Sequence, residues 1–255
     1  MRSDRFRRGV ARAMCVGMAL ACFGGVLRAQ VSDSVAHAMT HDMSWGRTTF
    51  VLTEVLELAP DAAGRPLAFD VVGWTGGASR RVWFKLDGAS ATLGQGTHAD
   101  AQVLYGAMIS PWWDVQVGVR GDLIAAGGDT RQRIGAVLGL QGLAPGWFEV
   151  EPSLFVSTGG HVSLDLTASY DAYITQRLVL QPRVETSVAM RDEVDFGIGR
   201  GVGPSSLALR TRYEVRREFA PYVGVVWERR YGRTAELAGG SRGETALVAG
   251  LRLWW

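Results

Sequence analysis

The sequence has few of the residues that build disulfides, lysine-rich surfaces or membrane-spanning helices. Its only cysteines among 255 residues are Cys15 and Cys22, and both fall in an apolar run near the N-terminus. It has one lysine, Lys85, and no asparagine, so arginine carries almost all of the positive charge. The formal net charge is only +2, which leaves no electrostatic footprint for nucleic-acid binding.

The N-terminal segment has the pattern of a secretory signal peptide. An arginine-rich start precedes the apolar run Ala13–Leu27, and Ala29 offers a cleavage site. That run is too short for a spanning helix, and no later run reaches the ~18 apolar residues that such a helix needs. We therefore predict a signal peptide over residues 1–29 and an exported chain with neither disulfides nor thiolate metal ligands.

From Thr48 onward the sequence alternates apolar and polar residues, with turn residues between the alternating segments. In His161–Tyr173, for example, even positions are mostly apolar and odd positions carry serine, threonine and aspartate. A period of two indicates β-strands. We count twelve such segments. Their length of about 9–14 residues is what a tilted strand needs to cross a bilayer, whereas strands of soluble proteins commonly have about five or six residues.

The last segment, Glu244–Trp255, is apolar at every second position and ends on an aromatic residue. It resembles the C-terminal strand of a bacterial outer-membrane β-barrel, and an edge strand of a soluble sandwich is the alternative. Charge placement favours the barrel. Arg210, Arg212 and Glu214 share one parity, so a single orientation puts all three inside. An arginine facing lipid at mid-membrane would cost about 2–4 kcal/mol.

Connection lengths favour the same architecture. With the N-terminus in the periplasm, the outward connections are long, as in Ala59–Pro66, Leu123–Gln132, Arg191–Ser205 and Gly232–Gly243, and only the tight Thr158–Gly160 breaks this pattern. The inward connections, such as Leu143–Gly146, are short. Long outside and short inside is the rule for outer-membrane barrels.

Aromatic residues cluster at the strand ends that we predict to be periplasmic. They are Trp112, Trp113, Trp147, Tyr173, Phe219, Tyr222, Trp254 and Trp255. Such a girdle is typical of a membrane interface. The sequence therefore predicts an all-β fold, a transmembrane antiparallel up-and-down β-barrel of about twelve strands over residues 47–255, in the cell outer membrane.

Residues 30–46 form a polar leader that we expect to be flexible. It contains His37, Met39, His41 and Met43, which share one parity. Imidazole suits copper, and thioether sulfur selects Cu(I). The spacing predicts copper binding at these four residues, and the alternative is a solvated leader of accidental composition.

The predicted interior carries charges of both signs. They are Lys85, Asp87, Asp114, Arg120, Glu149, Glu151, Asp165, Asp171, Arg183, Glu185, Arg210, Arg212, Glu214, Glu228 and Arg230. One interpretation is a network that satisfies buried groups, and the other is a polar pathway for a small ion.

His98 and His161 lie at strand ends, where exposed loop histidines are expected. Ser163 near His161 lacks a third catalytic partner, so we predict no enzyme and no catalytic residue.

Five longer segments resemble the copper-resistance protein B family of outer-membrane proteins. They are WTGGASRRVWFKLDG (Trp74–Gly88), ISPWWDVQVGVRGD (Ile109–Asp122), LQGLAPGWFEVEPSLFV (Leu140–Val156), LTASYDAYITQRLVLQPRVE (Leu166–Glu185) and RYEVRREFAPYVGVVWERRYGRTAELA (Arg212–Ala238). The resemblance covers Phe50–Trp255. It implies an outer-membrane protein that acts with a periplasmic multicopper oxidase and sequesters copper ions or passes them outward.

Members of that family commonly carry a long Met- and His-rich repeat before the barrel. This chain has about one such unit, HAMTHDM (His37–Met43), so high-capacity sequestration is not expected of it. The resemblance implies copper ligation by the histidines and methionines of this unit. A passive porin-like channel and a structural outer-membrane barrel without metal binding remain alternatives.

Overall fold

The computed structural model describes residues 47–62, 66–91, 96–238 and 242–255 of the chain. The predicted signal peptide and leader lie outside the described residues. Within these ranges the chain forms one antiparallel sheet that closes on itself as a barrel of twelve strands. The predicted all-β barrel is confirmed.

The strands follow one another around the barrel in chain order. They are β1 (Thr48–Leu58), β2 (Pro66–Gly76), β3 (Arg80–Ala91), β4 (Thr97–Ser110), β5 (Trp113–Ala126), β6 (Asp129–Ala144), β7 (Phe148–Ser157), β8 (Val162–Ser169, resumed at Ala172–Tyr173), β9 (Leu178–Ala189), β10 (Gly201–Tyr213), β11 (Phe219–Arg229) and β12 (Gly243–Trp254). A 3-10 turn, Val194–Phe196, lies between β9 and β10, and helix α1 (Gly232–Ala238) lies between β11 and β12. We call the end of the barrel with these two segments the loop end, and the opposite end the turn end.

The first and last strands close the barrel. β1 pairs with β2 on one side and with β12 on the other, where Leu52 lies opposite Trp254 and Leu58 opposite Ala249. Closure gives both strands a partner on each side, so neither is left as a sheet edge with unpaired backbone groups. No helix in the described part of the chain is long and apolar enough to cross a membrane.

A β-bulge in β1 explains a parity conflict in the sequence. Glu54 and Glu57 differ by an odd number of residues, so a regular strand would point them to opposite faces. The pairing with β2 shifts between Thr53 and Val55, which leaves Glu54 as the extra residue. Both glutamates therefore contact arginines inside the barrel.

Pro182, on β9, lies opposite the point where β8 is interrupted. This residue on β9 has no N–H group to donate to the ladder. Its carbonyl still accepts a hydrogen bond from the Tyr170 backbone N–H at 3.1 Å. Regular pairing therefore stops after Ser169 and resumes at Ala172 without a change of partner strand.

The two faces of the sheet differ in chemistry. Outward-facing apolar side chains such as Val103, Val117, Leu138 and Val223 are more than half exposed. The inward face carries most of the charged side chains, together with an apolar cluster of Trp83, Leu104, Val137 and Phe155. The barrel is thus apolar outside and largely polar inside, the reverse of a soluble protein.

Two of the predicted long connections have a different structure. The segment Leu123–Gln132 is mostly strand, because β5 and β6 continue to a two-residue turn at Gly127 and Gly128. Both glycines have positive φ, 62° and 92°, as a tight hairpin turn requires. In the β11–β12 connection, α1 occupies most of the space predicted as loop.

Candidate functional site

The space enclosed by the barrel, here called the lumen, contains a row of four aspartates. Asp70 on β2 lies opposite Asp87 on β3. Asp87 lies opposite Asp100 on β4, and Asp100 lies opposite Asp122 on β5. We call these four residues the aspartate row. Like charges directly opposite each other destabilise paired strands, so the row requires cations nearby.

Arg183 compensates the negative charge at one end of the aspartate row. Its guanidinium lies 2.6 Å from Asp70 and 3.0 Å from Glu54 on β1, and it also contacts Glu185 at 2.6 Å. β9 and β2 are five steps apart around the ring of strands, so this side chain crosses the lumen. Its contacts are charge-assisted hydrogen bonds, which are roughly twice as strong as neutral ones.

Arg120 and Arg133 compensate the negative charge at the other end of the aspartate row. Arg120 contacts Asp100 at 3.3 Å, Asp122 at 2.7 Å and Asp165 on β8 at 3.1 Å. Arg133 contacts the second carboxylate oxygen of Asp122 at 2.5 Å. The Asp122 side chain is completely buried between these two guanidinium groups. Such burial of a charge is tolerated only when it is paired and hydrogen-bonded.

Asp87 differs from the other members of the row. In the described ranges it forms no ion pair and no side-chain hydrogen bond, and it is exposed. Its carboxylate lines the lumen cavity between Asp70 and Asp100, both of which have an arginine partner. Asp87 is therefore the member of the row without an ion-pair partner in the described ranges.

The lumen holds a cavity of about 530 Å³. Nine carboxylates line it: Glu54, Asp70, Asp87, Asp100, Glu149, Glu151, Asp165, Glu185 and Glu228. Six cationic side chains line it: Lys85, Arg120, Arg133, Arg183, Arg229 and Arg230. The lining therefore has more carboxyl groups than cationic side chains.

A second polar chain crosses the lumen near the apolar cluster. Lys85 on β3 donates to Glu151 on β7 at 2.7 Å, and Glu151 accepts a further bond from Gln141 at 2.7 Å. Gln116 donates to Gln141 at 2.8 Å and is almost fully buried. These contacts link β3, β5, β6 and β7 across the lumen.

A third cluster corrects the predicted position of Tyr222. The sequence suggested that this ring belongs to the interfacial girdle, but it is 5% exposed inside the barrel. Its hydroxyl donates to Glu57 at 3.1 Å, and Glu57 also receives two bonds from Arg210, at 2.9 and 2.8 Å. Tyr222 shares the inner parity of β11 with Glu228, which is why the girdle assignment was wrong.

The predicted copper ligands His37, Met39, His41 and Met43 lie outside the described residues. His98 lines the lumen cavity and is exposed there. His161 lies at the β7–β8 turn, where its Nδ1 atom is buried and has no hydrogen-bond partner in the described ranges. Within the same ranges, no group of three or more His, Cys, Asp or Glu side chains is arranged to hold a metal ion.

Sequence reasoning omitted several interior charges. Asp70, Asp100, Asp122, Arg133 and Glu193 were absent from the predicted interior set, yet all five take part in ion pairs there. The alternation of polar and apolar residues puts Asp100 and Asp122 on the polar face of their strands, and this pattern could have identified them as interior residues. Their alignment across strands depends on register, which alternation within one strand does not specify.

Three comparisons identify relatives of the chain. A family model described as copper resistance protein B precursor (CopB) matches residues 47–255. Copper resistance protein B of Escherichia coli is 40% identical over 208 residues, covering 80% of this chain and 69% of that protein. A copper resistance protein B homolog of Pseudomonas syringae pv. tomato is 36% identical over 231 residues, covering 89% and 76%. A NanC porin structure is similar in fold, with a TM-score of 0.51 and 12% identity over 81% of this chain and 99% of that one.

Proposed function

Because the chain belongs to the copper resistance protein B family, we propose that it is an outer-membrane barrel that binds copper ions and passes them through its acidic lumen. A role in copper resistance follows from the family. The finer proposal of passage rests on one observation above the others, the aspartate row with its unpaired member Asp87. Copper is the cargo in this account, and the protein acts without catalysis.

The outer-membrane location is supported by the outer wall of the barrel. Its exposed apolar side chains would face water at a high cost in any aqueous compartment. At the turn end, Trp112 and Trp147 pack edge to face with centroids 5.8 Å apart, and both are more than half exposed. Exposed tryptophans at one end of the strands suit a membrane interface. We therefore expect the turn end to be periplasmic and the loop end extracellular.

Capture of copper is proposed for the leader. His37, Met39, His41 and Met43 supply two imidazoles and two thioethers within seven residues. Soft thioether ligands favour Cu(I), and imidazole accepts either oxidation state of copper. These four residues precede β1 in the sequence. We further propose a periplasmic multicopper oxidase as the partner, on the strength of the family.

A passive porin-like channel is the second candidate. The observation in its favour is the mixed charge of the cavity lining, which suits hydrated ions without selecting one of them. This candidate predicts that loss of the leader ligands changes neither copper binding nor copper passage.

The experiment that tests capture is a copper titration of the folded protein in detergent, run both anaerobically and in air. One variant replaces His37, Met39, His41 and Met43 with alanine. A matched control replaces the same residue types in the barrel, His98, His161, Met108 and Met190. We expect binding to disappear in the leader variant and to persist in the control. Binding that persists in the leader variant would move the site to the barrel and contradict the proposal.

A further inference from the structure

The β9–β10 loop, residues 190–200, folds over the lumen at the loop end. Its backbone closes on itself, because Glu193 and Ile198 exchange hydrogen bonds at 2.7 and 3.1 Å. Ile198 lines the lumen cavity, and Glu193 is 8% exposed. The loop is therefore part of the boundary of the cavity rather than a free surface loop.

Strand β6 holds the inner side of this loop. Arg133 forms an ion pair with Glu193, and its guanidinium lies 4.6 Å from the centre of the Phe196 ring. Arg131, two residues earlier on β6, donates to the Asp195 carbonyl at 2.5 Å. Both partners of the ion pair are about nine-tenths buried, with side-chain exposures of 11% and 10%. A charge pair shielded from water to this degree is screened little by salt.

Helix α1 holds the outer side. The Thr234 hydroxyl accepts a bond from the Gly199 N–H at 3.0 Å and lies 3.3 Å from the Gly199 carbonyl. Arg233 lies 3.4 Å from Asp192, and Asp192 also accepts a bond from the Arg200 backbone N–H at 2.6 Å. The loop is thus supported from the barrel wall on one side and from α1 on the other.

We propose that the β9–β10 loop is a gate over the lumen and that the Glu193–Arg133 ion pair is its latch. The pair joins the end of β9 to β6, three strands away around the ring, so it bridges part of the mouth. Arg133 keeps Asp122 as a partner when Glu193 is lost, so opening the latch leaves the interior charges compensated. The proposal deepens the passage proposed above and rests on it.

The test is a conductance measurement in planar bilayers with K⁺ as the probe ion. Glu193→Gln keeps the size of the side chain and removes its charge. We expect mean K⁺ conductance to rise roughly tenfold, since loss of a charge-assisted hydrogen bond shifts an equilibrium by about that factor. Glu218→Gln is the matched control, because Glu218 is exposed in the β10–β11 turn at the opposite end of the barrel and forms no ion pair in the described ranges. We expect its conductance to equal that of the unaltered protein.

Trypsin cleavage supplies a second readout that does not depend on ion flow. Arg191 and Arg200 lie within the loop, so release of the latch should accelerate cleavage at these sites in Glu193→Gln and not in Glu218→Gln. Faster cleavage together with higher conductance is the expected result. Faster cleavage without higher conductance would overturn the gate, and so would no change in either. An equal rise in both variants would also overturn it. Because the probe is K⁺, a failed gate is distinguishable from a failure of copper passage.

Discussion

At the scale of single residues, Arg183 is one of the two arginines that each pair with three interior carboxylates. It contacts three carboxylates on three strands, Glu54, Asp70 and Glu185, and is itself 9% exposed. Removing one partner from a buried ion pair costs more than the pair contributes, because the remaining charge stays buried and unpaired.

We therefore expect Arg183→Gln to lower the free energy of unfolding by about 3 kcal/mol, the cost typical of a broken buried pair. The measurement is the urea midpoint of folded protein in detergent, read from the mobility shift on unheated gels. Arg177→Gln is the control, because Arg177 is exposed near the start of β9 and pairs with no carboxylate in the described ranges. Equal midpoints for the two variants would contradict the role given to Arg183.

Tyr222 also contacts a buried carboxylate, but its loss should destabilise the barrel less than the loss of Arg183. In Tyr222→Phe, Glu57 loses one of its donors but keeps both bonds from Arg210. We expect a loss of about 1 kcal/mol in the free energy of unfolding, the usual contribution of one hydrogen bond. Tyr105→Phe serves as the comparison, because that ring is 48% exposed on the outer face. A Tyr222→Phe protein as stable as Tyr105→Phe would show that the Glu57 contact contributes nothing measurable.

At the scale of elements, β5 shows how closely neighbouring strands approach. A Cβ atom on Gly118 would lie 2.0 Å from the Val103 carbonyl oxygen, whereas one on Gly121 would come no closer than 3.9 Å to the Arg133 carbonyl oxygen. The first contact involves backbone and cannot be relieved by a rotamer change.

We expect Gly118→Ala to destabilise the barrel by about 2 kcal/mol or to prevent its folding, because overpacking against a rigid strand forces backbone shifts. Gly121→Ala on the same strand should keep a midpoint close to that of the unaltered protein. Thermal unfolding followed by circular dichroism compares the two. If Gly121→Ala were the more damaging change, the register given for β4 and β5 would be wrong.

The strands themselves were predictable, because the outer face of a barrel wall contacts lipid and the inner face contacts a polar lumen. Apolar and polar side chains must therefore alternate along each strand. Alternation fails where the backbone is irregular. The bulge at Glu54 moves two glutamates to one face, and no composition rule locates a bulge. Glycines at the β5–β6 turn looked like loop residues, and only the pairing of Ala126 with Asp129 shows that the strands continue.

The candidate site was less predictable than the wall. Alternation identified Asp87, Arg120 and Arg183 as interior residues, but it does not state which of them meet. The contact of Arg183 with Asp70 joins residues 113 positions apart and depends on closure of the barrel. The burial of Glu193 beneath the β9–β10 loop depends on how α1 and β6 support that loop, which no local pattern encodes.

At the scale of the whole molecule, the barrel combines an apolar outer wall with an acidic cavity. Arginines neutralise both ends of the aspartate row and leave Asp87 unpaired within the described ranges. A cation crossing the lumen would exchange part of its hydration for this carboxylate. Selectivity in such pores commonly arises from carboxylate side chains at a narrow level.

Copper flux into proteoliposomes is the most direct test of this account, measured relative to K⁺ flux in the same vesicles. Asp87→Asn removes the free carboxylate, and Asp129→Asn is the matched control on the exposed β5–β6 turn. We expect Asp87→Asn to lower the ratio of copper to K⁺ flux roughly tenfold, as loss of one close charge interaction would do, and Asp129→Asn to leave it unchanged. A ratio that is the same in Asp87→Asn as in the unaltered protein would contradict passage of copper along the aspartate row.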